Sequence, residues 1–263
     1  MYRLLAMKRF FIKYMVAVLL IMVAAKAIAQ PKAVQDSLEK ANTLYATGEY
    51  DKAAQLYEAI LLKGFESKEL YYNLGNACYK SNQITKSIIN YERALKLSPK
   101  DEDALYNLAI AKKMIVDNIE TLPEPGFLRW WKDMIAALTT DQWATRSVVA
   151  FLFFLGLFGL FLFTTKAGIK KLSFWFSLLF LVYSIFTFSF ASSQKSRLTG
   201  SDKAVITERS LRVKGSPSET GTELFIIHEG LTVQITDQLG EWIEIRIADG
   251  NKGWVKENSM VKI

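Results

Sequence analysis

Between residues 34 and 118 the apolar and small side chains fall at helical spacing in blocks about a dozen residues long, and the blocks recur. "YYNLGNACYK" from Tyr71 and "LYNLAIAKKM" from Leu105 are nearly the same, with Tyr72 and Tyr106 34 residues apart. Laying 68–101 over 34–67 pairs Gly75 with Ala41, Asn82 with Gly48, Ser87 with Ala53, Tyr91 with Tyr57 and Ala94 with Ile60. Small residues (Ala41, Gly75, Ala109; Ala53, Ser87) stand where two antiparallel helices must approach closely, and Tyr57 and Tyr91 stand where a ring fills the gap between successive hairpins. A period of this length predicts stacked helix–turn–helix units: repeats over 34–67 and 68–101, closed by a capping helix over 102–118.

The pattern changes after Asn118. Pro123, Pro125 and Gly126 end any continuing helix. Phe127, Leu128, Trp130, Trp131, Met134, Ile135 and Leu138, set among Arg129, Lys132 and Asp133, then predict a short helix lying at a membrane surface within a linker over 119–147. Thr139 or Thr140 is placed to cap the next helix. Residues 148–165 hold no charge and span about 27 Å at the helical rise, and residues 172–190 are likewise uncharged, so both are expected to cross a membrane. The connection 166–171 carries Lys166, Lys170 and Lys171 without an acid, which predicts a cytoplasmic loop with both flanks outside; Trp143 and Trp175 suit the aromatic belts. With no ionisable group inside either span, the hairpin reads as an anchor. Ser177, Ser184 and Thr187 are able to bond across the helices or to their own backbone.

A third pattern follows a polar linker over 191–202. From Lys203 onward, runs of four to seven β-prone residues alternate with turns at Gly215, Pro217, Gly221, Gly230, Gly240 and Gly250. "WIEIRI" alternates cleanly, with Trp242, Glu244 and Arg246 opposite Ile243, Ile245 and Ile247. The expectation for 203–263 is a small closed or nearly closed barrel.

Charge alters one conclusion. The chain has 33 basic and 26 acidic residues, but five of the basic ones lie in the first 29 residues, which contain no acid. That basic start, the apolar run Tyr14–Ala25 and the small residues Ala27 and Ala29 read as a signal peptide over 1–29, cleaved after Ala29 or retained as a span. Without it, 28 bases face 26 acids, and the remaining balance of +2 carries no nucleic-acid footprint. Cys78 is the one cysteine, so no intrachain disulfide forms; it reads as a small buried hydrophobe, with a reactive or partner-linked thiol as the alternative.

The second copy, "YYNLGNACYKSNQITKSIINYERALKLSPKD", closed by Pro99, resembles the tetratricopeptide repeat; the first copy departs from that pattern at Lys40 and Phe65. The resemblance implies an all-α repeat domain over 30–118 whose groove is lined by Asn42, Tyr45, Tyr72, Asn73, Asn76, Tyr79, Tyr106 and Asn107. Asn carboxamides donate to and accept from a peptide backbone, and Tyr rings add contact area at low entropic cost; the same residues are also simply usual in such repeats. "LRVKGSPSETG", "HEG" and "DGNKGWV" give 203–263 a likeness to bacterial SH3-like domains. That likeness implies an all-β barrel that binds peptide or cell-wall material through Phe225, Trp242 and Trp254, of which the tryptophans serve equally well as core. The order of repeat, hairpin and SH3-like domain resembles the BatE family of the bacterial Bat (aerotolerance) gene cluster. This implies an inner-membrane protein with periplasmic repeat and SH3-like domains, and as partners other membrane proteins, among them von Willebrand A-domain proteins and a second repeat protein, with an ATPase on the cytoplasmic side.

Catalytic signatures do not emerge. His228 is the single histidine, which leaves no histidine metal cluster and no ready triad. No phosphate-binding glycine loop occurs, and Asp101 and Asp103 fall at a repeat junction. The expectation is a non-enzymatic scaffold with no cofactor, no metal and no catalytic residue. A wall-binding envelope sensor is the competing class, and an unrecognised enzyme is the remote one.

Overall fold

A computed structural model describes residues 32–117, 119, 125–200 and 202–263. The signal peptide expected over 1–29 lies outside the described residues. By internal packing the chain divides into two units: one takes in residues 144–188, and the other joins residues 36–143 to 189–263.

The repeats form helices α1 (Lys32–Ala46), α2 (Tyr50–Leu62), α3 (Lys68–Lys80), α4 (Ile84–Leu97) and α5 (Glu102–Lys112). Their turns repeat the same device: Gly48 (φ 85°) and Asn82 (φ 60°) occupy equivalent left-handed positions, which glycine adopts freely and asparagine more readily than most residues. Their starts repeat as well. Ser67 Oγ accepts from the Leu70 N–H at 3.1 Å, and Asp101 Oδ1 accepts from the Ala104 N–H at 3.0 Å, each filling a helix N-cap. Ala41 and Ala53 are fully buried, and a Cβ at Gly75 would sit 2.7 Å from the Tyr91 ring, so only glycine permits this approach of α3 to α4.

Seven antiparallel strands follow: β1 (Lys203–Ile206), β2 (Ser210–Lys214), β3 (Glu223–His228), β4 (Thr232–Leu239), β5 (Trp242–Arg246), β6 (Lys252–Lys256) and β7 (Met260–Lys262). Their order is β3-β2-β6-β5-β4-β1-β7. The SH3-like barrel expected from the sequence is therefore corrected: the sheet is open, with β3 and β7 as its edges. Closure would need those two edges to pair, and the helical array holds the end of each instead. Val261 and Ile263 at the β7 end pack into a cluster with Ile88, Ile89, Leu108 and Ala111. At the β3 end, the His228 N–H donates to Asp117 Oδ2 at 2.5 Å, with His228 Nδ1 2.9 Å from Asp117 Oδ1. Alternation works as expected within the strands, since Ile243, Ile245 and Val255 share one buried core with Val213, Val233 and Ile227.

Polar groups join helices to sheet beside that apolar cluster. Glu92, 5% exposed, accepts from Lys112 Nζ at 2.8 Å, from Lys203 Nζ at 3.3 Å and from Thr232 Oγ1 at 3.3 Å. Burial alone would raise its pKa, but the two ammonium groups outweigh burial and hold it below the usual glutamate value. Lys96 Nζ donates to the Gly200 and Ile263 carbonyls, each at 2.8 Å, and burial lowers its pKa.

Residues 144–188 of the other unit lie in two long helices, α7 (Thr140–Phe163) and α8 (Ala167–Thr199), and the short turn that joins them, so Lys170 and Lys171 fall in the first turns of α8 rather than in a loop. The outer ends of both helices, with Trp143 and Phe190, belong to the repeat and sheet unit. Both helices are long and apolar enough to cross a membrane. Their packing is inverted relative to a water-soluble core. Ser147, Ser173, Ser177, Ser184 and Thr187 are buried, whereas Phe151, Phe153, Leu160, Leu162, Leu179 and Phe186 are exposed. Ser147 Oγ donates to the Ser184 carbonyl at 3.0 Å and Ser184 Oγ to the Ser147 carbonyl at 2.9 Å, a reciprocal bond across the helices. Ser177 and Thr187 bond to their own helix. At the entry to α7, the Thr139 N–H donates to Gln142 Oε1 and the Gln142 N–H to Thr139 Oγ1, which makes Thr139 the cap.

Candidate functional site

The groove-side residues form two matching hydrogen-bond relays. Tyr57 Oη donates to Asn42 Oδ1 at 2.7 Å, and one repeat later Tyr91 Oη donates to Asn76 Oδ1 at 2.6 Å. Each relay is then joined by the next first helix. Asn73 Nδ2 makes a long 3.5 Å contact to Asn42 Oδ1, and Asn107 Nδ2 donates to Asn76 Oδ1 at 2.9 Å and to Tyr72 Oη at 3.1 Å. Helix periodicity explains the convergence: positions one turn apart on α1, α3 and α5 share a face, and the stack aligns those faces.

A cavity of about 190 Å³ opens between the first two repeats, lined by Asn42, Tyr45, Tyr57, Asn73 and Asn76. Its lining is uncharged, and it stays so at physiological pH. Burial, then the neighbouring Tyr45, pushes the Tyr57 pKa up to about 12. Burial is also the largest influence raising Tyr45, with Tyr50 and Tyr72 adding to it. The Asn42 and Asn76 carbonyls each already accept from a tyrosine hydroxyl and meet the next asparagine's amide, so these two residues have mainly their amide N–H groups left to offer, and no partner meets those among the described residues. The cavity therefore offers mainly donors, a match for peptide carbonyls or side-chain carboxamides.

Five of the eight expected groove residues thus lie in these two relays, Asn42 and Asn73 in the first and Tyr72, Asn76 and Asn107 in the second, and Tyr45 lines the cavity beside them. Tyr79, like Tyr72, packs against the cluster of Ile88, Leu108 and Ile263 but joins neither relay, and Tyr106 is 69% exposed. Sequence reasoning missed that Tyr57 and Tyr91 orient the asparagines. The signal was available, because Asn42 and Asn76 keep the same offset as Tyr57 and Tyr91.

The three aromatics expected to bind a ligand on the sheet do not share a surface. Phe225 packs on the core face, while Trp242 and Trp254 lie on the other. Trp242 is 9% exposed, with Lys214 and Lys256 ammoniums each 5.7 Å from its ring. Cys78 is buried, and burial raises its thiol pKa to about 11, which keeps it protonated. No group of three or more His, Cys, Asp or Glu able to hold a metal occurs among the described residues.

A family model described as TPR repeat matches residues 75–114, which cover the C-terminal part of α3 and all of α4 and α5. No curated protein matches the chain. The BatE assignment is accordingly corrected. It rested on an order of regions that ended in an SH3-like domain, and the open sheet removes that domain. The SH3 and aerotolerance labels, and the periplasmic label that came with them, lose their support. What stands is a TPR-like helical repeat region, a kind of scaffold associated with protein–protein interaction, on a chain with two helices able to span a membrane.

Proposed function

We propose that the protein is a membrane-held, non-enzymatic scaffold whose repeat groove captures an extended segment of a partner protein. The observation that carries this is the uncharged cavity at Asn42, Tyr45, Asn73 and Asn76, whose unmet amide donors suit a peptide backbone. The two apolar helices with serines turned inward support anchoring in a bilayer. Lys166, Lys170 and Lys171 at their shared turn favour that turn on the cytoplasmic side. The partner is another membrane or envelope protein rather than a nucleic acid, since the chain beyond residue 29 carries little net charge.

Photo-crosslinking tests the groove. With a benzophenone amino acid in place of Tyr45 in the full-length chain in its membrane, a discrete adduct is expected. It should vanish in Asn42→Ala/Asn73→Ala at nearly unchanged melting temperature. No adduct, or one indifferent to both carboxamides, sinks the reading.

A further inference from the structure

Helix α6 (Gly126–Ile135) ends against the extramembrane ends of the two long helices. Trp143 Nε1, in the first turn of α7, donates to the Ile135 carbonyl at 2.9 Å and so closes the C-terminus of α6. The Phe190 ring of α8 meets Trp143 edge-on at 5.1 Å and Trp131 edge-on at 5.7 Å between centroids. Trp131, Phe190 and Trp143 thus clasp α6 to the chain a few residues ahead of the apolar run of α7 and at the end of that of α8.

The rest of α6 is open. Phe127 is 69% exposed, Trp130 59% and Leu128 47%. At 100° per residue, Phe127, Leu128, Trp130, Trp131, Met134 and Ile135 fall within one apolar arc, and Arg129, Lys132 and Asp133 fill the opposite one. Water does not favour such a face, and no other described element covers Phe127 or Trp130. The level of the clasp says what does. It sits where the chain passes from apolar spans to polar flanks, the level at which indole rings partition, one end apolar and the N–H wet.

We propose that α6 is a lipid-binding foot. Phe127, Leu128 and Trp130 insert into the headgroup boundary of the bilayer, Arg129 and Asp133 face water, and Trp143 is a positioning residue that sets the depth. This rests on the reading of α7 and α8 as membrane spans.

Spin labels at single cysteines in a Cys78→Ala background, with the full chain in phosphatidylcholine/phosphatidylglycerol vesicles, test it through collision with oxygen and with a water-soluble nickel chelate. Leu160→Cys controls for the spans, since a water-exposed label there would remove the membrane reading itself. With that control in lipid, labels at Phe127→Cys and Trp130→Cys should show an oxygen-to-nickel ratio severalfold above those at Arg129→Cys and Asp133→Cys. Trp143→Phe, which keeps a ring but loses the bond to Ile135, should lower the ratio at position 130 and leave position 160 unchanged. Equal ratios at all four α6 positions overturn the proposal. So does shielding of positions 127 and 130 from both reagents, which would mean a second copy or another protein covers the face. A Trp143→Phe effect confined to melting temperature, with the ratio at 130 unmoved, overturns the depth-setting role.

Discussion

The repeat array has two faces built from the same helices, and they are finished differently. On the groove side, the Tyr57 and Tyr91 hydroxyls brace Asn42 and Asn76, which together with Asn73 line an open cavity. On the other side, Ile88, Ile89, Leu108 and Ala111 are sealed beneath Val205, Val261 and Ile263 of the sheet. Polar groups that bond to each other or to water tolerate exposure, each bond contributing a net ~0.5–1.5 kcal/mol. An apolar face does not, since each large side chain covered contributes about 1.5–3 kcal/mol. A solenoid usually ends in a polar capping helix. Here α5 covers only part of the last hairpin, and a β-sheet from the far end of the chain covers the rest.

The most severe test of that contrast is Val205→Asp, which buries an unpaired carboxylate in the shared cluster. It should cost more than about 3 kcal/mol, and helical and sheet circular dichroism should melt together at the lower temperature. If the helical transition stays where it was, the two regions are independent modules and the sealed face is an illusion. Gly75→Leu comes next. Its side chain meets the Tyr91 ring, so a loss on the order of 1–3 kcal/mol is expected by chemical denaturation.

Acid should sharpen the sealed side. Glu92 has a folded-state pKa below its ordinary value, so its contribution is fully present above the unfolded-state pKa and is lost as pH falls through the lowered folded one. Stability measured from neutral pH downward should decline less steeply in Glu92→Gln than in the wild type; parallel curves would remove Glu92 from the docking energetics. The smallest effect belongs to the groove. Tyr91→Phe removes one of the two bonds at the Asn76 carbonyl and should cost about 0.5–1.5 kcal/mol, and Tyr57→Phe, beside the open cavity where water can substitute, should cost less. Equal losses would mean the two relays are not differently exposed.

Helix α6 and the two long apolar helices were legible because their signals are local: an amphipathic arc over ten residues, and runs without charge beside a lysine-rich turn. The strands were legible one by one, as Trp242 to Ile247 shows, but their order was not. Turn spacing and a few glycine motifs do not say whether β3 meets β7, because that pairing depends on what else competes for the edges. Glu92 illustrates the same limit. It reads as one more charge on a repeat helix until Lys203, 111 residues away, and Lys112 surround it. Tyr79 shares a helix with Asn76, and the resemblance to the repeat family put both in the groove; only the packing shows Tyr79 against the cluster that includes Ile263, outside the asparagine relays.

By itself, the sequence determined what short-range physics decides. The 34-residue period, the left-handed turn at Asn82, the glycine that admits Tyr91 and the uncharged helices each depend on neighbours a few residues or one repeat away. Only the tertiary structure decided that the sheet stays open and that it caps the repeats. Those outcomes follow from which distant apolar face lies within reach of which edge, and hydrophobic burial, being non-directional, leaves no mark in the local pattern of either partner.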